Sequence, residues 1–464
     1  MRFSVVIPSY NRAAQLMLTL AAFEKMAYPL GQFELIVVND GLTDDTDQRL
    51  RQYAPPYPLQ LVSLSRQTGR AVARNVGVSA ARGDILVFCD PDFVVLPQFL
   101  SMHDQYQSQA ENAVVSGIPH SWGRVYPHFH ADFTEEEKHV ARASLQQSGL
   151  WQDGYWHARS TVEIVTPDDI RHGTGQLERV VASWDLPQPI KAQFASTDVA
   201  PWMLAVTRCL SMPRRLFRQA GGFFDKFQQH GLEDWELGYR LHRLGCRFAS
   251  IAQTIGYHQE HPGSYRNGES ATVNLDLLYE NNGCSDPELS LLAVYPPSKD
   301  IRVYKNVLRI LQAWATGDNP LYRSAAAHVR ATCERGARLC IDNPASPAYL
   351  QLLEAVQPAF KAASDLYELH GTGELPEIRR ILGEACGAGP LPDQPPPGTV
   401  ALPVRKRARK RPAFMRRHAR RRRLARKRPA FTRRHAMRRR RLGKRRPALR
   451  KRAAASRSRI KRSG

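Results

Sequence analysis

The chain has 464 residues and a formal net charge of +24, but residues 401–464 hold 31 Lys and Arg and no acid, whereas residues 1–400 hold 36 basic against 43 acidic residues, a net of −7. That length accommodates two or three domains with a large core. Seven scattered cysteines without a Cys-x-x-Cys pair, and no apolar run of membrane-spanning length, argue against a disulfide scaffold, a zinc knuckle and a transmembrane protein.

The expectation is a mildly acidic globular body in a reducing compartment, joined to a polycationic tail. Met1 to Pro8 is too short and polar-interrupted for a signal peptide. The protein is expected to be cytoplasmic, free or peripheral to a membrane or another anionic surface.

Taken in order, Phe3 to Ile7 reads as a buried strand stopped by Pro8. A helix with Leu16, Leu20 and Phe23 on its apolar face follows. Phe33 to Val38 is the second strand and ends in Asn39-Asp40-Gly41; Thr43-Asp44-Asp45-Thr46 then forms a helix N-cap cluster. Leu59 to Leu64 is a third strand, and Gly69 to Ala81 a helix closed by Gly83. Ile85 to Cys89 is a continuous apolar run, as of a strand buried on both faces. Strands alternating with helices argue for a parallel, doubly wound α/β sheet.

The Ile85–Cys89 strand runs into Asp90-Pro91-Asp92. In open α/β sheets ligands sit outside the carboxyl ends of the strands, so Asp40 and Asp90 would share one edge. Two close carboxylates repel unless a cation or donors lie between them. Mn²⁺ or Mg²⁺ bridging a diphosphate is one reading of the triplet; a simple β-turn is the other.

Residues 120–195 show no lasting period and are rich in His and Trp, including Trp122, His128, His130, Trp151, Trp156 and Trp184. They read as a functional insertion. Exposed rings there would suit stacking on sugars or bases, although each tryptophan taken singly is expected to pack a local core. Trp202 to Cys209 reads as a strand, and Pro213 as the start of a helix over Arg214 to Ala220, which ends in Gly221-Gly222-Phe223-Phe224-Asp225.

Glu233-Asp234 opens a further helix with Leu237, Leu241 and Leu244 on one face. Both acids sit where orphan N–H groups favour anions, so capping alone competes with a catalytic role. Phe248 to Ile251 is a last strand. His258 beyond it is a candidate third metal ligand in the same crevice.

Residues 295–386 are helical by pattern, with Val303, Val307, Ile310, Leu311 and Trp314, then Leu350, Leu353 and Val356, broken at Pro320 and Pro347. Residues 387–403 are a Pro-rich linker. In the tail, Ala408 to Phe414 recurs as Ala425 to Phe431, and Lys444 to Leu449 is a decayed third copy. So much like charge with so little apolar surface predicts disorder and contact with a polyanion: nucleic acid, an anionic polymer or acidic lipid.

The N-terminal 270 residues resemble family-2 glycosyltransferases of the GT-A fold. The resemblance rests on Val5 to Arg12, Val38-Asn39-Asp40-Gly41 with Thr43 to Thr46, Ala73-Arg74-Asn75-Val76-Gly77, Asp90-Pro91-Asp92, and Gly221 to Asp225 followed by Glu233-Asp234. The last pair is similar to a galactosyltransferase-like branch; Leu232 stands where that pattern often has glycine or a small residue. The resemblance implies a nucleotide-binding GT-A domain over 1–270 with 120–195 as an insertion or acceptor region. It does not extend to 295–464, and pattern and composition alone give a mainly helical region over 271–386, the linker over 387–403 and the basic tail over 404–464.

It further implies that the Pro8-Ser9-Tyr10 turn frames a uracil, with Pro8 and Tyr10 at the base, and that Asp40 hydrogen-bonds that base. Asp90 would meet the ribose or the metal's shell, and Arg74 the base or phosphates. Asp92 would bind Mn²⁺ or Mg²⁺, joined by His258, the ligand candidate read from its place after the last strand. Glu233 and Asp234 are the catalytic pair, Asp234 being the general base of an inverting, hexosyl-type transfer to an acceptor hydroxyl.

Two alternatives stand beside this one. The first is a non-catalytic polyanion-binding protein carried on the α/β body. The second is a nucleotidyltransferase, which would bring a glycine-rich phosphate loop that Pro8-Ser9-Tyr10-Asn11 does not supply.

Overall fold

The computed structural model describes residues 1–41, 44–173, 175–182, 185–263 and 270–387. Thr43 and Trp184, the linker beyond Gly387 and the repeats of the basic tail lie outside the described residues. The chain divides into a unit over Met1–Pro395 and a second over Pro396–Gly464.

The strands are β1 Phe3–Ser9, β2 Phe33–Asn39, β3 Leu59–Ser63, β4 Ile85–Cys89, β5 Phe93–Val95, β6 Ala113–Ser116, β7 Arg124–Val125, β8 His128–Phe129, β9 Val162–Glu163, β10 Cys209–Pro213, β11 Arg247–Ser250 and β12 Gly256–Gln259. Seven of them form one sheet in the order β11-β6-β10-β4-β1-β2-β3. β1, β2 and β4 are buried along their whole length, as continuous apolar runs predict. Alternation sends Val6, Ile36 and Phe88 to one core, and Val5, Val37 and Val87 to the core on the other face.

β1 to β4 are mutually parallel, as expected; β10 runs antiparallel to β4 and β6. The strand expected at Trp202 to Cys209 is therefore displaced. Pro201–Leu204 is a short 3₁₀ turn, and pairing begins only at Cys209. The register Cys209↔Cys89 sets the start of β10 beside the end of β4. Residues 207 and 208 thus join the edge where Ser9, Asn39 and Cys89 end.

Other boundaries shift for local reasons. Pro8 does not stop β1. Pairing to β4 lapses after Val6, so Pro8 has a partner only on the β2 side, where a missing N–H is tolerated. After the helices α1 Ala13–Phe23 and α2 Thr46–Gln52, the helix α3 Arg70–Ala80 is not closed by Gly83. A Cβ on Gly83 would lie 2.5 Å from the Phe3 carbonyl carbon, so that glycine serves close backbone approach.

Leu244 lies beyond the end of the Glu233–Arg243 helix and is exposed, and Leu350 is exposed in its own helix. The insertion is also more regular than its composition suggests. The helix Glu135–Gln147 is opened by a capping box between Thr134 and Glu137, a signature readable in Thr134-Glu135-Glu136-Glu137.

The C-terminal helices Pro287–Val294, Pro297–Thr316, Pro320–Asp342, Pro347–His370 and Pro376–Ala385 each begin with proline in the first turn. They continue the core on the Val6 face of the sheet. Glu288 fixes the junction by accepting from the Trp202 indole at 2.7 Å and the Ala200 N–H at 3.0 Å.

Candidate active site

The edge formed by the ends of β1, β2 and β4 and the start of β10 gathers two linked groups of side chains. The first is built on Arg74, in α3. Its guanidinium is fully buried and donates to Glu233 Oε1 at 2.9 Å and Asp90 Oδ1 at 3.2 Å. Glu233 spends its other oxygen on the Gly231 N–H at 2.9 Å. Burial pushes the Glu233 carboxyl up, but the charges of Arg74, Arg70 and His230 outweigh it and leave the group lowered. Arg74, the residue expected at the base or phosphates, ties Asp90 to the Glu233 helix through its N–H groups.

Asp234 is half-buried and accepts the Trp235 N–H at 2.9 Å. Burial, then the Glu233 charge, raise its carboxyl to about 7 against the pull of Arg74 and of the Trp235 and Thr207 backbone N–H groups. A carboxylate that titrates near neutrality is suited to take a proton. Leu232, just before the pair, has φ +68°, the left-handed region that a glycine would occupy without strain. The position that departs from the family pattern is therefore one where the backbone itself asks for glycine.

The second group surrounds Asp92. Asp92, His258 and His261 are all buried and offer ligand atoms within 4.8 Å of one another. His261 Nε2 lies 3.4 Å from Asp92 Oδ2 and His258 Nε2 3.8 Å from Asp92 Oδ1. Burial and the Arg208 charge push the His258 imidazole down to about 4, despite Asp92 and Glu260. It is therefore neutral, with a lone pair to offer. Burial would raise Asp92, but His258, His261 and Arg12 hold it well below the usual carboxylate range.

His261 was not singled out from the sequence. The spacing His258-Gln259-Glu260-His261 directly after a strand could have found it. Arg208 was missed as well; its Nε is buried without a hydrogen-bond partner among the described residues. The groups meet at the start of β10, where the Asp90 N–H reaches the Arg208 carbonyl at 3.4 Å.

Asp40 lies at the same edge. Its carboxylate accepts the Thr68 N–H and hydroxyl, both at 2.7 Å, and the Gly69 N–H at 2.9 Å. Three of its roughly four acceptor positions are thus spent on the turn that leads into α3. Pro8 is buried in β1, whereas Tyr10 is exposed beside it.

Acids, imidazoles and an arginine thus gather at the edge of a mixed α/β sheet where such folds place their ligands. Residues 4–184 match the model of the family described as Glycosyl transferase family 2, so this segment is similar to that family. The chain is 26% identical over 322 residues to the uncharacterized glycosyltransferase YfnE of Bacillus subtilis, covering 68% of this chain and 79% of that one. It is 29% identical over 297 residues to validoxylamine A glucosyltransferase of Streptomyces hygroscopicus, covering 62% of each. It is 27% identical over 285 residues to chondroitin synthase of Escherichia coli, covering 59% of this chain and 37% of the relative. The chain thus spans less than two thirds of the length of the last two. Among the described residues no helix is long and apolar enough to cross a membrane.

Proposed function

We propose that the protein is an inverting hexosyltransferase that moves a sugar from a uridine diphosphate donor to an acceptor hydroxyl, with Asp234 as general base. The observation that carries this reading is the convergence at the start of β10. A carboxylate raised to about 7 is held by the Thr207 backbone N–H, and the next residue, Arg208, acts on His258 of the Asp92–His258–His261 cluster. The glucosyltransferase among the relatives supports a hexose as the transferred group.

The residues at Asp92 fit a divalent cation: one ionised carboxylate and two imidazoles. Two nitrogen donors favour Mn²⁺ over Mg²⁺, which takes oxygen almost exclusively. When bound, such an ion supplies Lewis-acid neutralisation of the diphosphate. Arg208 adds a fixed positive charge on the same side.

Tyr10 offers a ring face to the base, and Asp40 keeps one acceptor position for a base N–H. Asp90, held by Arg74, faces the ribose end. Asp234 takes the acceptor proton as the new bond to the sugar's anomeric carbon forms. The bond from that carbon to the diphosphate oxygen breaks on the opposite face, and uridine diphosphate leaves. Glu233 positions: it raises Asp234 and holds the Gly231 turn. The basic tail serves as a localiser on a polyanion; 25 of its 31 cations are arginine, whose fork matches phosphate and carboxylate.

Calorimetric titration with uridine diphosphate tests the cation site. Wild type is expected to bind only with Mn²⁺ present, and Asp92→Ala and His261→Ala to lose that Mn²⁺-dependent binding; unchanged titrations reject the assignment. Asp234→Asn is expected to lower transfer by about 10²–10⁴ with nucleotide affinity nearly intact. Transfer at the wild-type rate removes Asp234 from the mechanism.

A further inference from the structure

The helix Glu135–Gln147 begins beside the Asp92 cluster and carries an aromatic surface away from it. In its first turn Glu137 accepts the N–H of Gly263, two residues past His261, at 2.7 Å. Further along, Arg142 lies against two half-buried indoles of the following loop. Its guanidinium carbon is 5.4 Å from the Trp151 ring centre and 5.7 Å from that of Trp156. His139, exposed, lies 5.0 Å from Trp156 between ring centres. Phe129 anchors Trp151 from the core side at 5.4 Å.

Packing alone does not account for this group. Among the described residues Arg142 has no hydrogen-bonded acceptor and no ion-pair partner. Its neighbour Lys138, in contrast, is paired with Glu135 at 3.1 Å. The Trp156 indole N–H is likewise without a partner there, whereas that of Trp151 reaches Asp153 at 2.9 Å. The solvent-facing parts of two half-buried indoles, beside a guanidinium fork that has no acceptor among the described residues, suit a ligand with an apolar face and a carboxylate. A sugar ring bearing an acid group has both. From Glu137 to Arg142 the helix advances about 7.5 Å, so a short saccharide held here extends toward the Asp92 cluster.

We propose that Trp151, Trp156 and Arg142 bind the acceptor, an acidic saccharide chain whose rings lie on the indoles and whose carboxylate pairs with Arg142; this rests on the transferase reading above. The test is quenching of indole fluorescence in the full chain by a hyaluronan tetrasaccharide, with neutral cellotetraose as the comparison. None of the seven tryptophans lies beyond Trp314, so the signal reports on the body and not on the basic tail.

The acidic chain is expected to quench and the neutral chain to bind more weakly, with Arg142→Gln weakening the acidic chain about tenfold. Trp156→Leu is expected to weaken both. Uridine diphosphate binding with Mn²⁺, measured on the same samples, stays at the wild-type level in both variants and shows that they are folded. Equal affinity for the two saccharides, no binding of either, or unchanged affinity in Arg142→Gln overturns the proposal. Loss of nucleotide binding in the wild type would instead overturn the donor-site reading while leaving the saccharide titration to decide this one.

Discussion

Asp234 and Arg74 show how one buried charge sets another. The Glu233 charge and desolvation raise the Asp234 carboxyl to about 7, so a rate that needs its ionised form climbs as pH rises through that value. The expected profile of kcat/KM has an ascending limb near 7, and a limb near the ordinary carboxylate value of about 4 would contradict the assignment. Stability moves the other way. A carboxyl whose folded value lies above its unfolded value binds its proton more tightly in the folded state. Its ionisation therefore costs stability progressively from about pH 4 to 7, and fully above 7. Asp234→Asn removes that cost, so the variant's Tm should exceed wild type at pH 8 and match it at pH 4. Arg74 is the opposite case, since its removal strands Glu233 and Asp90. Arg74→Met should cost about 3–5 kcal/mol in chemical denaturation, much of it recovered when Glu233→Gln is added. A loss below 1 kcal/mol would show that the pair is not held by Arg74.

At the scale of elements, the motif Ala73-Arg74-Asn75-Val76-Gly77 is a set of contacts made by α3. Gly77 faces the sheet, where an added Cβ would lie 2.4 Å from Val6 Cγ1 and 3.0 Å from Val38 Cγ2. Both neighbours are β-branched and stiff. Gly77→Ala is therefore expected to destabilise by about 1–3 kcal/mol, despite the ~1 kcal/mol that alanine brings to an open helix position. It should also weaken nucleotide binding by shifting Arg74 one turn earlier; a gain in stability would show that α3 is not seated this tightly. Asn75 clasps the Phe223 backbone, accepting its N–H and donating to its carbonyl, both at 2.9 Å, and donates to Asp225 at 2.6 Å. Two sequence motifs about 150 residues apart are thus one joint. Each was visible in the chain, but their contact was not, because nothing local encodes which helix a distant turn will meet.

At the scale of the molecule, the helices beyond residue 286 share a core with the sheet through Trp202, Glu288 and the Val6 face. Residues 1–387 are expected to unfold in one calorimetric transition; two separated transitions would contradict the shared core. The same 1–387 chain should keep Mn²⁺-dependent nucleotide binding and lose retention on heparin. The full chain's retention should fall steeply with salt, as counterion release requires. Retention by the truncated chain at physiological salt would assign polyanion binding to the body.

The strands β1 to β4 and β11, and the places of Asp40, Asp90 and Asp92 at polar strand ends and of Glu233-Asp234 at a helix start, were legible in the order of residues, because buried strands and their polar ends follow from local hydrophobic pattern; the short strand β6 was not. The polarity contrast between body and tail was legible too, since it is composition. Only the tertiary structure brought His261 to Asp92 and Arg208 to His258, and turned Arg74 inward onto two acids. It also reversed the direction of β10 and raised Asp234 toward neutrality. Those outcomes depend on which charges become neighbours after burial, and Coulomb interactions act through space and not along the chain.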